Sequence, residues 1–450
     1  MRATFKSRST PLTDCLRRRI AGAIRHFCKD RSASIAMQFS LMIIPIIGLA
    51  GGAIDLANIM RLRNILQNAA DAASVASVGV TSPAALAAQS MTGNGTIAVG
   101  QTDANNVFYS NIGSASNYAS LTFTPSVTKS GLAIASTISF SATIQTSFMP
   151  IIGISSWTVQ GSSYATGNLA PYVDFYLLLD NTPSMGIGAT QADIDTMVAN
   201  TPDQCAFACH EMDTAPNDYY GLAKSLGVTK RIDVVATATQ DLMTTATQSE
   251  EMAGEFRAAI YTFGATAQTA GLTQVAQLSS SLSTVKTQAG NVDVMSVPYQ
   301  NYNNDMQTDF DGVLSGVNAL IPTPGDGSSA STPQKVLFFV SDGVADAYYP
   351  STCLESGVGS GRCQEPMNVA NCTAIKNRGI KIAVLYTTYY PLTTNAWYNS
   401  TVAPWASQIP TNMQACASPG LYIDASIGSD LGAALNSLFN LTIQQAALSQ

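Results

Sequence analysis

The sequence predicts an α/β protein with an N-terminal transmembrane helix, a small β-rich module, and a C-terminal domain built on a doubly wound, mainly parallel sheet. Three observations carry this expectation. Residues 32–54 contain no charged side chain. Short, continuous apolar runs recur through the second half, the mark of strands buried on both faces. Between those runs lie stretches of helical periodicity, and that alternation implies a parallel sheet covered by helices on both sides.

The chain has 450 residues, enough for two or three domains, with few charged side chains and a high apolar content. Residues 1–31 carry nine Lys/Arg against Asp14 and Asp30, a net +7. The remaining thirteen basic and twenty-seven acidic side chains give the rest a net −14. The uncharged 32–54 stretch, including SLMIIPIIGLAGGAI, is long enough for a bilayer core, which needs about 20 helical residues. The excess of Lys/Arg before it leaves 1–31 in the cytoplasm and the body outside. A cleaved signal peptide is the alternative, but the basic lead is long, no A-x-A site follows, and the helical pattern continues. An acidic exterior lacks the basic stripe that phosphate contacts require, which argues against nucleic acid.

Beyond the anchor, Ile59, Leu62, Leu66, Ala69, Ala73 and Ala76 recur at three- and four-residue steps, so the helix is expected to continue to about Val80 as a rod. Pro45 and the Gly51-Gly52 pair need not end it. The run from SASIAMQFSLM to LQNAADAASVAS resembles the amino-terminal segment of TadG-like proteins of the bacterial Flp/Tad pilus-assembly system. That resemblance implies an inner-membrane, single-pass protein working with other pilus-assembly components. Gln38 stands where pilin-like relatives often carry glutamate, and no glycine precedes the run, which argues against a processed, polymerising pilin.

Residues 81–118, rich in Ser, Ala, Gly and Asn, read as loops or a surface segment. Leu132, Ile134, Ile138, Phe140, Ala142 and Ile144 then alternate with small and polar residues, as in half-buried strands. The expected domains are a basic tail (1–31), the helix and its extension (32–80), a β-rich stalk module (81–170) and the C-terminal domain (171–450). In the last, strands are expected near 173–179, 257–263, 292–297, 335–341, 380–386 and 421–424. Helices are expected near 229–249, 273–288, 309–320, 367–378 and 429–447.

The most informative stretch is YVDFYLLLDNTPSMG, where a buried strand ends in Asp180, Thr182 and Ser184. A carboxylate and two hydroxyls at alternate positions can converge on a hard cation, for which oxygen ligands suit magnesium or calcium. Ligands of α/β sheets bind outside the carboxyl ends of the strands. The spacing resembles D-x-S-x-S, the metal-ion-dependent adhesion site of von Willebrand factor A domains, with Thr182 in place of the first serine. Thr308, in QTDFDGVL, matches that family's threonine ligand, and Asp342, ending KVLFFVSDG, matches its second aspartate. The resemblance implies that Asp180, Thr182, Ser184, Thr308 and Asp342 hold Mg²⁺ or another divalent cation. It also implies a protein partner whose carboxylate completes the metal shell.

Six cysteines fall on the outer side, and six allow fifteen connectivities. Three disulfides are the expectation. Cys353–Cys363 would close a loop after the Asp342 strand, and Cys372–Cys416 would tie a helix to the loop before the last strand. Cys205–Cys209 is the local remainder. CAFACHE, residues 205–211, also admits a zinc clip through Cys205, Cys209 and His210, or haem or redox chemistry. P-loop, H-E-x-x-H and G-x-S-x-G motifs are absent from the sequence, and a Ser-His-Asp hydrolase would depend on His210 alone outside the membrane. Asp309 and Asp311 read as helix-start carboxylates rather than a catalytic pair. Tyr348, Tyr349, Tyr389, Tyr390, Trp397, Tyr398 and Trp405 would form either an aromatic rim around the metal or the core of an insertion.

The expected function is a non-enzymatic, membrane-anchored pilus-assembly or adhesion protein that binds its partner through magnesium. The alternatives are a structural tether whose domain binds no metal, and a periplasmic metal-dependent hydrolase.

Overall fold

The computed structural model describes residues 32–113, 118–213, 218–349, 351–355 and 358–448. The basic tail with Cys15, Cys28 and His26 lies outside them. The chain divides into two compact units. One comprises the described residues up to Ala84 with Thr96–Thr128 and Ala135–Thr166; the other comprises Ala85–Gly95, Lys129–Ile134 and the chain from Gly167.

In the first unit a single helix, Ser32–Ala76, contains Pro45 without ending there. At 1.5 Å per residue its 45 residues span about 68 Å, roughly twice a bilayer core of ~30 Å. The two halves differ accordingly. Ile35, Leu41 and Leu49 are at least 70% exposed, whereas Ile59, Leu62, Leu66, Ala69 and Ala73 are buried. Met37–Ala76 is long and apolar enough to cross a membrane. The buried stripe packs against the helix Ala98–Ile112, whose own Ala104, Phe108 and Ile112 repeat every four residues and are buried. This helix and a second, Pro83–Ser90, lie where loops were expected. Pro83–Ser90 is alanine-rich, and Ala carries high helix propensity but a weak periodic signal. In Ala98–Ile112 it is Asn105, Asn106 and Asn111, poor helix formers, that read as loop.

Asp55 stands where the bare half of the long helix gives way to the packed half. Its carboxylate accepts the backbone N–H groups of Ser147, Phe148 and Met149 at 3.0, 2.7 and 2.8 Å. Those donors open the 3₁₀ turn Met149–Ile152, so the acid caps a helical N-terminus. Gly51 allows this approach, since a Cβ there would come within 2.5 Å of the Phe148 side chain. The β-rich module has the strands Gly95–Thr96, Ser120–Ser130, Ala133–Gln145 and Ser156–Asn168, neighbours in that order. Ile134, Ile138, Phe140, Ala142 and Ile144 are buried at period two, as expected.

The second unit is a doubly wound α/β domain. Its six-stranded sheet runs Tyr422–Ala425, Lys381–Thr387, Gln334–Ser341, Val173–Leu179, Phe256–Thr262 and Thr273–Ser279. The first five strands are parallel, and the last is an antiparallel edge. Every residue of Val173–Leu179 is buried, as its largely apolar run predicts for a central strand, and its one charged residue, Asp174, is paired with Arg257 and Lys335. One face, through Phe175, Leu177 and Val336, meets Leu242 and Phe439 of the helices Arg231–Ser249 and Leu431–Leu448. The other face, through Tyr176, Leu178 and Leu337, meets Phe310, Val313 and Ile375. Full burial of one such large side chain stabilises by about 1.5–3 kcal/mol.

Two expectations fail here. The helix expected over 273–288 is a strand, Thr273–Ser279, followed by the helix Leu282–Ala289. The strand expected over 292–297 is reduced to Ser296–Val297, paired with His210–Glu211. A hairpin, Val344–Tyr348 with Arg362–Pro366, follows the Asp342 strand and was not foreseen. The helices Gln191–Asn200, Tyr219–Leu226 and Gln408–Cys416 are likewise additional to those read from the sequence.

Candidate metal centre

Register brings Leu179 opposite Val340 and Val340 opposite Leu385, so three parallel strands end together. Asp180 continues the ladder by donating its N–H to the Val340 carbonyl at 2.9 Å. Its carboxylate is fully buried. Oδ1 accepts the Thr182 N–H at 3.0 Å and the Thr182 hydroxyl at 2.7 Å, and Oδ2 accepts the Ser341 hydroxyl at 2.6 Å. Thr182 is extended, and Pro183 begins the 3₁₀ turn Pro183–Gly186. That change of direction sets the Thr182 and Ser184 hydroxyls 3.3 Å apart.

Asp342 closes the neighbouring strand and is also buried. Its Oδ2 has no hydrogen-bond partner among the described residues. The Arg231 guanidinium is near, with Nη1 at 3.8 Å, but donates instead to the carbonyls of Thr387 and Thr388 at 3.3 and 3.1 Å. Burial and then the Asp180 charge push Asp342 up to about 7, against Arg231, the Ser184 hydroxyl and the Val344 N–H. Burial likewise raises Asp180, against its hydroxyl and N–H donors. Two buried carboxylates with one shared cation leave negative charge that is costly without further compensation. After Asp342, Gly343 turns at φ +78°, and a Cβ there would meet Met413 at 2.8 Å.

Thr308 is tied to the hairpin by a two-bond bridge with Asp346, at 2.9 and 3.0 Å. It shares with Ser184 the wall of a cleft of about 580 Å³. Asp180, Thr182, Ser184 and Asp342 thus form one interacting group, and Thr308 lines the same cleft as Ser184. Two carboxylates and three hydroxyls are hard oxygen donors, and the unpartnered Asp342 oxygen is the kind of atom a divalent cation would satisfy. The residues fit such an ion.

The far side of the cleft is the hairpin. Arg362 pairs with Asp346 through two bonds of 2.7 and 2.6 Å, and its guanidinium lies 5.2 Å from the centre of the Trp397 ring. Trp397 donates its indole N–H to Gln364 at 2.7 Å, and Gln364 reaches Asp346. The aromatic cluster therefore divides between the two roles weighed for it. Tyr389 and Trp397 line the cleft, while Tyr398 and Trp405 are buried in the core. Asp309 caps the helix Phe310–Leu320 by accepting the Gly312 N–H at 2.8 Å, as a helix-start carboxylate should.

Two disulfides are present, Cys353–Cys363 and Cys372–Cys416. The third expected pair is not bridged: Cys205 and Cys209 are free thiols. They share a hydrogen bond, and the Phe207 N–H turns back to Cys205 Sγ at 3.4 Å, which satisfies the turn without a covalent link. The His210 ring stacks on Tyr220 with centroids 4.0 Å apart. Sequence reasoning missed Arg231, Ser341 and Asn181. Asn181 holds the loops together by donating to Gly264 and Asp293 carbonyls and accepting from the Phe263 N–H. Asn181 sat inside the motif and offered a signal. Arg231 offered none, being remote in sequence from both aspartates.

Residues 34–90 match the Tad family model, described as Flp pilus-assembly TadE/G-like. No curated protein matches the chain. Among solved structures, the von Willebrand factor domain of the type V pili tip protein Mfa5 from Porphyromonas gingivalis is 10% identical, with a TM-score of 0.35. It covers 62% of this chain and 97% of that one. The pilus adhesin SpaC from Lactobacillus rhamnosus GG is 13% identical with a TM-score of 0.34, over 74% of this chain and 35% of its own. Proximal thread matrix protein 1 from the mussel byssus, solved with a zinc-occupied MIDAS motif, is 12% identical with a TM-score of 0.32. There the cover is 62% of this chain and 46% of that protein, so the chain spans less than half of both the adhesin and the byssus protein.

Proposed function

We propose that this chain is a membrane-anchored pilus-assembly or adhesion protein that binds a protein partner through a divalent-cation site made by Asp180, Thr182, Ser184, Thr308 and Asp342. The observation that carries the reading is the buried, unpartnered Oδ2 of Asp342 beside the buried Asp180, at the carboxyl end of a parallel sheet. A bound Mg²⁺ would supply an open coordination position for a carboxylate of the partner. The chain's own contribution is placement: Ser341 and Thr182 hold the Asp180 carboxylate, and the Pro183 turn presents the Ser184 hydroxyl. The Asp346–Arg362 pair orders the hairpin that walls the cleft. The anchor is the bare half of the long helix, with the basic tail on the cytoplasmic side of the inner membrane and both units outside.

One observation favours the rival, a structural tether that binds no metal. The Arg231 charge, 3.8 Å from Asp342, partly replaces a cation. Isothermal calorimetry with MgCl₂ on the full chain in detergent separates the two. The proposal expects saturable binding by the native chain and by Thr182→Ser, and none by Asp180→Ala. Equal affinity in native and Asp180→Ala protein would mean that the site lies elsewhere, and no heat from any of them would leave the tether.

A further inference from the structure

We propose that Cys205 and Cys209 are a reversible dithiol–disulfide pair whose state tunes the neighbouring cation site; the tuning rests on the reading given above, the thiol chemistry does not. The pair sits in the turn after the helix Gln191–Asn200, where Gln204 takes a left-handed φ of 57°. Both cysteines are half-buried and free, in contrast to the four bridged ones. Cys209 lines the 580 Å³ cleft together with Ser184 and Thr308. Cys205, outside that lining, is itself only partly buried, so a small or protein-borne disulfide can reach its sulfur.

The environment distinguishes the two sulfurs. The hydrogen bond from Cys209 is the largest influence lowering the Cys205 thiol, and the Phe207 N–H adds to it. Burial and the carboxylates of Asp203 and Glu211 act the other way. Cys209, which gives its hydrogen bond away, is raised. Cys205 is therefore the attacking thiolate. It bonds to one sulfur of an external disulfide and expels the other as a thiolate. Cys209 then attacks the Cys205 sulfur, closes the internal bridge and releases the second thiol. Two electrons and two protons pass to the oxidant, which leaves as two thiols. An external thiol reverses each step.

The link to the cation site is backbone. Ala208 donates its N–H to the Gly186 carbonyl at 2.9 Å, and Ile187 forms an antiparallel bridge with Phe207. Residues 207–208 thus hold the end of the Pro183–Gly186 turn, two residues from Ser184. A bridge between 205 and 209 fixes residues 207–208 in place. The Ser184 hydroxyl is then held before a cation arrives, and less ordering remains to be done on binding.

The test uses the full chain in detergent, equilibrated across graded ratios of reduced to oxidised glutathione. Differential alkylation and peptide mapping then read each cysteine. The 205–209 pair should pass from dithiol to disulfide in a range where Cys353–Cys363 and Cys372–Cys416 stay closed. A pair that never closes, or that opens only when those two open, would overturn the proposal. Calorimetry with MgCl₂ on the two forms should show the disulfide form binding about fivefold more tightly, within the usual span of coupling between sites. The Cys205→Ser, Cys209→Ser variant should behave as the dithiol form. Equal or weaker affinity in the disulfide form would overturn the tuning. Magnesium binding by neither form, with the pair still switching, would overturn the cation reading and leave the thiol chemistry standing.

Discussion

The Arg231 guanidinium lies 3.8 Å from Asp342 Oδ2 yet spends its hydrogen bonds on the Thr387 and Thr388 carbonyls. It lends charge to the acid without occupying its lone pairs. Both side chains are buried.

Removing that charge has opposite effects on stability and on cation affinity. In Arg231→Met the two aspartates lose their nearest protein cation, and breaking a buried pair from one side typically costs about 3–5 kcal/mol. A divalent ion would then meet a more negative site with no competing charge. Thermal melting in EDTA should show a lower midpoint for the variant, and added Mg²⁺ should restore much more of it than in the native chain. A variant that melts low and gains nothing from magnesium would indicate that Arg231 serves packing alone.

How much of this was legible beforehand follows from burial and distance along the chain. Val173–Leu179 and Gln334–Ser341 announced themselves, because central strands must be apolar on both faces. Their ends then pointed to Asp180 and Asp342. Thr273–Ser279 did not, since an edge strand with Gln274 and Gln277 exposed reads equally well as a helix. The hairpin escaped notice because its short strands carry Asp346 and Arg362, charges that break the apolar alternation and are neutralised only by pairing with each other across the hairpin. Arg231 escaped because nothing local marks a helix-start arginine that reaches a carboxylate on another strand. The Cys205–Cys209 spacing suggested a bridge, and only the geometry showed two thiols sharing a hydrogen bond.

Asp55 gives a test in the other unit. Asp55→Ala would strip the acceptor from three backbone N–H groups and loosen the turn that they open. Hydrogen exchange at residues 147–149 should accelerate while the helix Ala98–Ile112 keeps its protection. Asp55→Asn should fall between, since it retains one acceptor oxygen without the charge. Unchanged exchange at 147–149 in Asp55→Ala would remove the cap from the account.

Topology has its own expected outcome. Protease added to spheroplasts should cut beyond residue 80 and spare an amino-terminal tag, because nine Lys/Arg precede the apolar stretch. A tag digested from outside would reverse the orientation.

Glu255 supplies the pH dependence. It precedes the strand Phe256–Thr262, is 4% exposed, and accepts the Glu251 N–H at 2.7 Å. Burial, with the Glu251 and Glu250 charges, pushes it from 4.5 up to about 7, against the N–H groups that lower it. The folded chain therefore holds this proton more tightly than the unfolded chain does. Its contribution to stability is complete below about pH 4.5 and is lost as pH rises through about 7. Glu255→Gln keeps the shape and removes the titration. Melting midpoints taken from pH 5 to 8 should fall more steeply for the native chain than for the variant, and the variant should be the more stable of the two at pH 8. Parallel curves would mean that Glu255 titrates alike in the folded and unfolded chains, and its burial would then carry no electrostatic cost.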